Sequence, residues 1–135
     1  MNTKKKNYRI NESKLKNLLF KTDFPVGKTS DFDLFPKLKE KFTQLKPAAI
    51  LIPILTNTYE PMVIFTRRAQ NLSQHPGQIS FPGGKVEKKD SSEAAAALRE
   101  SKEEIGLKKS EVNIIGVLPK HETVTGFLIT PFIGI

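Results

Sequence analysis

Leu15, Leu18 and Leu19 in the stretch ESKLKNLLFK recur at the spacing of one helical face, with Asn11 placed to cap the first turn. A polar loop rich in Asp, Gly, Pro and Thr follows. FPKLKEKFTQLK then repeats Leu38, Phe42 and Leu45 at helical spacing, which predicts a second helix within residues 35–46. Pro47 breaks that pattern. AAILIPIL, residues 48–55, is an unbroken apolar run, too short for a helix and suited to a buried strand. PMVIFTRRA reads as a second strand, and NLSQHPGQISFPGGK, with two Pro and three Gly, as a loop with at most a short extended piece at QISF. Asp90-Ser-Ser-Glu93 has the form of a capping box, so the helix written in EAAAALRESKEEIGL is expected to open at Asp90 and to stop at Gly106. VNIIGVLP and GFLITPFIGI predict strands joined by the polar loop KHETVT. No internal repeat is present.

Projected at 100° per residue, the helix has two sides. Ala94, Leu98, Ser101 and Ile105 form the one expected to pack on a sheet, and Glu93, Glu100, Glu103 and Glu104 gather on another. Glu100 and Glu104 are like charges four residues apart, a mildly unfavourable pairing in an isolated helix. Solvation, with Arg99 and Lys102 nearby, removes that cost. So does a hard divalent cation held between the carboxylates, and the helix alone does not choose between the two.

Composition narrows the chemistry. A chain of 135 residues fits one domain with a core of its own. It has no cysteine, which excludes disulfides, thiolate metal sites and a cysteine nucleophile, so any metal is held by oxygen or imidazole. No apolar run approaches the roughly 18 residues needed to span a bilayer, and the basic start has no apolar signal-peptide core behind it. The expectation is a cytoplasmic protein without a membrane partner. The net charge of +8 is concentrated early: residues 1–46 hold 12 of the 22 basic residues and 5 of the 14 acidic ones. With no Trp and two Tyr to interleave, this basic segment reads as a solvated face or arm, and no nucleic-acid partner is expected.

Two glycines a few residues ahead of the acidic helix change the weighing of its carboxylates, because they permit close backbone approach. The stretch GGKVEKKDSSEAAAALRESKEEIGL resembles the Nudix box, with Gly84, Arg99, Glu100, Glu103, Glu104 and Gly106 in matching places. Two positions depart from the usual form. Eight residues separate Asp90 from Arg99 instead of seven, and Ser101 fills a slot that is usually hydrophobic. Upstream, TRRAQNLSQHPGQISFPGG looks like the signature of the coenzyme A pyrophosphatase branch. Thr66, Arg68, Ala69, Gly77, Phe81, Pro82, Gly83 and Gly84 are in register, while Ser73 stands where that signature has a second Arg. The resemblance covers roughly residues 47–135, leaving residues 1–46 as a basic helical segment ahead of it.

That resemblance implies an α/β/α sandwich with a mixed β-sheet, Mg²⁺ or Mn²⁺ as cofactor, and hydrolysis of coenzyme A or acyl-coenzyme A to 3′-phosphoadenosine 5′-phosphate and (acyl-)4′-phosphopantetheine. Another nucleoside diphosphate derivative is the alternative substrate. Glu100 and Glu104 are the leading metal ligands, followed by Glu103 and the Gly84 carbonyl, with one glutamate also acting as base and Arg99 orienting the carboxylates. Arg67, Arg68, His75, Gly77, Gly83 and Gly84 are the candidate substrate contacts. A homodimer is common in the family. Its members usually continue past ITPFIGI, so the resemblance also implies a chain truncated at the C-terminus, with residues 129–135 an exposed edge strand. A truncated chain raises a further alternative, a Nudix-like module that binds nucleotide without turning it over.

Overall fold

A computed structural model of the protein describes residues 11–21, 28–58, 60–71 and 76–135. In chain order the elements are α1 (Glu12–Lys21), β1 (Thr29–Ser30), a 3-10 turn (Asp31–Asp33), α2 (Pro36–Lys39), β2 (Lys46–Leu55), β3 (Met62–Val63), β4 (Thr66–Arg67), β5 (Ile79–Ser80), β6 (Gly83–Lys85), α3 (Glu93–Ile105), a second 3-10 turn (Lys109–Glu111), β7 (Ile114–Val117), β8 (His121–Glu122) and β9 (Phe127–Gly134). No helix among them is long and apolar enough to cross a membrane.

The apolar run expected to be a buried strand is the spine of the sheet. β2 pairs in parallel with β9 from Lys46 opposite Phe127 to Pro53 opposite Gly134, and antiparallel with β6 and β3. Pro47 lies inside this strand, where its carbonyl accepts from Val86 N at 3.0 Å. β9 is no edge. It is hydrogen-bonded to β2 on one side and to β7 and β8 on the other, which corrects the expectation of an unpaired strand over residues 129–135. With β1 parallel to β8, the result is a mixed sheet of seven strands.

Four further expectations are corrected. The second helix is one turn, Pro36–Lys39: Phe42 leaves the helical register to pack on Phe32, ring centroids 6.1 Å apart, and Lys46 N already bonds to Gly126 O in the sheet. The strand expected over residues 61–69 is broken into β3, on the main sheet, and β4, which forms a separate ribbon with β5. Between them Ile64 N donates to Pro53 O at 3.0 Å. The loop KHETVT contains β8, whose Glu122 is 3% exposed and accepts from Lys28 and from Ser30 Oγ at 2.9 Å. These bonds tie β1 to the sheet and hold the Glu122 carboxyl below its usual range, with the Lys28 bond the largest cause.

The fourth correction concerns α3. Its buried stripe is Ala96, Ala97 and Ser101, packed on Ala49 and Leu51 of β2, while Ile105 is exposed. Of the side expected to pack, Ser101 is buried and Leu98 lies against the core as read, while Ala96 and Ala97 take the place of Ile105 because small side chains let a helix backbone come closest to a sheet. Ser101 suits this place because its hydroxyl donates to Ala97 O at 2.7 Å and so carries no unsatisfied group into the core. On the other face, the register sets Gly116 of β7 beside Ile133, and a Cβ on Gly116 would lie 3.0 Å from Leu19 of α1. Helices therefore cover both faces, and the expected α/β/α sandwich is the observed one.

Candidate active site

Because α3 rests on Ala97 and Ser101, the residues three positions after each of them lie together on the side of the helix next to β6. Glu100 and Glu104 are those residues. A Cβ on Gly84 would sit 2.5 Å from Glu100 Oε1, so the carboxylate occupies the space a side chain there would fill. Gly83 N donates to Glu104 Oε2 at 3.3 Å. The glycines of β6 are thus a floor onto which two carboxylates close, and both were named from the sequence.

Arg99 organises the neighbouring side. Its Nε and one terminal nitrogen grip both oxygens of Asp90 at 2.9 and 3.0 Å, and the same end donates to Lys85 O at 3.1 Å. The other terminal nitrogen donates to Glu100 Oε1 at 2.9 Å and lies 3.6 Å from Glu103. Such a forked guanidinium fixes the carboxylates it touches. Glu103, 57% exposed, is the most open of the three glutamates for which an ion pair is seen at this cluster, Glu87 and Glu100 being the others.

Asp90 does not cap α3, contrary to expectation. Ser92 does, its hydroxyl accepting from Ala95 N at 3.1 Å, and Gly106 ends the helix at φ 72° as expected. Asp90 is instead the anchor of Arg99 and also accepts from Glu87 N at 2.8 Å. Sequence reasoning missed this partnership because a separation of nine residues, one ahead of the helix and one inside it, belongs to no helical period. Glu93 also departs from the acidic group: it accepts from Lys120 and Thr130 at 2.9 Å each.

The Arg99 bond is the main reason the Asp90 carboxyl is held at about 2, with the Glu87 N–H assisting. A carboxyl depressed on folding stabilises the protein above its ordinary pKa, and that contribution is lost as pH falls through the folded value. The urea midpoint should therefore fall between about pH 4 and pH 2, and Asp90→Asn should flatten that part of the profile.

Glu104 is shifted the other way. Partial burial raises its carboxyl above the usual glutamate value, and the charges of Glu100 and Glu103 add to the effect. The Gly83 N–H and the charge of Arg68 oppose it. Arg68, just beyond β4, is thereby linked to the acidic group. Arg67 is exposed on β4, opposite Ile79, and the described contacts do not tie it to the carboxylates. Gly77 makes the turn of the β4–β5 ribbon, its N–H donating to Arg68 O at 3.1 Å. His75 and Ser73 lie outside the described residues.

Among the described residues, no three His, Asp or Glu side chains are disposed to hold a metal unaided. The donors do fit Mg²⁺ or a similar hard cation, which takes one or two carboxylates and completes its shell with water and phosphate oxygens. Burial, and after it the charge of Glu100, raises the Glu104 carboxyl, and a dication between the two carboxylates would reverse that repulsion. Gly84→Ala tests the floor. The new Cβ would displace the flexible Glu100 carboxylate and no backbone, so the melting temperature should hold within a few degrees. Turnover should fall by about 100-fold, the cost of moving a reacting group by an ångström.

Residues 45–133 match the family described as NUDIX domain. The chain is 45% identical over 102 residues to an uncharacterized Nudix hydrolase, NudL, of Enterobacter sp. strain 638, and 43% identical over the same length to that of Cronobacter sakazakii. Each alignment takes in 76% of this chain and 53% of the relative, so the chain spans about half the length of the curated relatives it matches. A crystal structure of a Nudix hydrolase from M. smegmatis, RenU, is similar in fold, with a TM-score of 0.53 at 21% identity over 69% of this chain and 62% of that one.

Proposed function

The chain belongs to the Nudix family, and on that premise we propose that it is a metal-dependent pyrophosphohydrolase that cuts coenzyme A or acyl-coenzyme A to 3′-phosphoadenosine 5′-phosphate and 4′-phosphopantetheine or its acyl form. The observation that carries the reaction is the closure of Glu100 and Glu104 onto the Gly83 and Gly84 backbone. The substrate rests on the sequence signature that runs from Thr66 to Gly84, and what supports it is the place of its glycines beneath Glu100 and Glu104.

Glu100 and Glu104 would hold Mg²⁺ or Mn²⁺, with Glu103 and the Gly84 carbonyl as further oxygen donors. When bound, the cation supplies positive charge for the pyrophosphate oxygens and for activation of water. Arg99 keeps Glu100 oriented through the whole reaction, because Asp90 and the Lys85 carbonyl hold its far end. One of the three glutamates takes the proton of the attacking water. Arg68, whose charge opposes the rise in the Glu104 carboxyl, would orient a phosphate.

Product analysis tests this reading. The purified protein is incubated with coenzyme A and Mg²⁺ or Mn²⁺, beside a panel of dinucleotides, sugar nucleotides and nucleoside triphosphates. Release of 3′-phosphoadenosine 5′-phosphate is the expected result. Cleavage of a different panel member would replace the substrate and keep the reaction, whereas silence on all of them would overturn the hydrolase reading in favour of a nucleotide-binding module.

A further inference from the structure

Beside the acidic group lies a pair of aromatic rings to which the reaction as described assigns no task. Phe65 immediately precedes β4, and Phe81 immediately follows β5. The pair Thr66 and Ser80 between them is bonded twice through the Thr66 hydroxyl, to Ser80 O and Ser80 Oγ, both at 3.1 Å. This bracing stacks the two rings, centroids 4.6 Å apart and planes inclined by 28°. Phe65 is nevertheless 53% exposed and Ile79, on the same ribbon, 67%. A ring held in place by a stack, with half its surface left open, is not explained by core packing.

Its surroundings indicate what it would meet. Phe81 leads through the buried Pro82 directly into Gly83 and Gly84, the floor beneath Glu104 and Glu100. Arg68 lies three residues beyond Phe65, and its charge opposes the rise that burial gives the Glu104 carboxyl. The stack therefore lies one residue ahead of the Pro82–Gly83–Gly84 segment on which Glu104 and Glu100 rest. A flexible alkyl chain needs an apolar groove to surround it, whereas a flat, braced ring with an open surface suits a planar base.

We propose that the Phe65–Phe81 stack is the platform for the purine of the nucleoside diphosphate substrate, with the open surface of Phe65 as the face on which the base lies. The inference rests on the reading of the neighbouring carboxylates as a pyrophosphatase centre. It assigns to Phe65 the binding of the nucleoside half and leaves bond cleavage to the glutamates.

The chain contains no tryptophan, so Phe65→Trp installs a single indole reporter at the platform. Its fluorescence should be quenched saturably by ADP and by 3′-phosphoadenosine 5′-phosphate, and not by ribose 5-phosphate, pyrophosphate or 4′-phosphopantetheine. In turnover of coenzyme A, Phe65→Ala should raise KM about tenfold with kcat within about twofold, the scale of one lost base stack. Quenching by 4′-phosphopantetheine instead of ADP, or no quenching together with an unchanged KM, would overturn the platform. Binding of ADP needs no turnover, so quenching in a protein that cleaves nothing would uphold the platform while removing the proposed activity. Cleavage without quenching or a KM change would do the reverse.

Discussion

Glu104→Gln should lower kcat for the proposed substrate by about 10²–10⁴-fold, the range associated with loss of a group that handles protons or charge at the reacting centre. The same substitution should leave the metal-free protein as stable as the parent or more so. Glu104 is partly desolvated and faces two like charges, Glu100 and Glu103, so its charged form is disfavoured by folding. A group whose pKa rises on folding costs stability at a pH where it must ionise, and a neutral isostere removes that cost. The paired measurement is steady-state kinetics with Mg²⁺ and thermal melting without it. A variant that loses activity and melts lower would make Glu104 a structural residue and sink its assignment to the centre. Retained activity would move the chemistry to Glu100 and Glu103.

The second large effect is expected one residue before the floor glycine. Gly83→Ala would drive a Cβ into the Ala49 carbonyl oxygen and to 2.6 Å from the Ile50 Cα. Both belong to the central strand, hydrogen-bonded on each side, and neither can rotate away as a side chain would. Overpacking of this kind costs about 3 kcal/mol. For a domain of this size that corresponds to a melting temperature lower by roughly 10 °C. Gly84→Ala is the natural control, since its Cβ meets only the movable Glu100 carboxylate. The two neighbours should therefore separate cleanly, Gly83→Ala losing stability and Gly84→Ala losing turnover. Equal melting temperatures for both variants would show that β6 can withdraw from β2, and that the close approach is not a constraint.

Much of the site was legible before any coordinates. The order of glycines, arginine and glutamates in RESKEEIG and FPGG names the residues that the fold brings together, because a loop followed by a helix is a local structure whose spacing survives folding. Asp90 was assigned the wrong task. Its partner lies in the same local segment, yet the pairing depends on how the turn of residues 86–92 bends back over the helix, which no periodicity encodes.

By itself, the sequence determined the elements whose causes are local: a helix that ends at Gly106, where the backbone turns left-handed, a buried strand in AAILIPIL, and a glycine pair just ahead of an acidic helix. Only the tertiary structure decided the exact centre of the face that α3 buries, since that depends on how near two backbones can come, and Ala96 and Ala97 beside Ser101 allow a closer approach than Ile105. It alone decided the strand β8 and the break of the 61–69 stretch into β3 and β4 on different sheets, because neighbouring strands supply their hydrogen bonds. The place of β9 has the same origin: its apolar pattern specifies a strand, but only partners distant in sequence, β2 on one side and β7 and β8 on the other, set it inside the sheet.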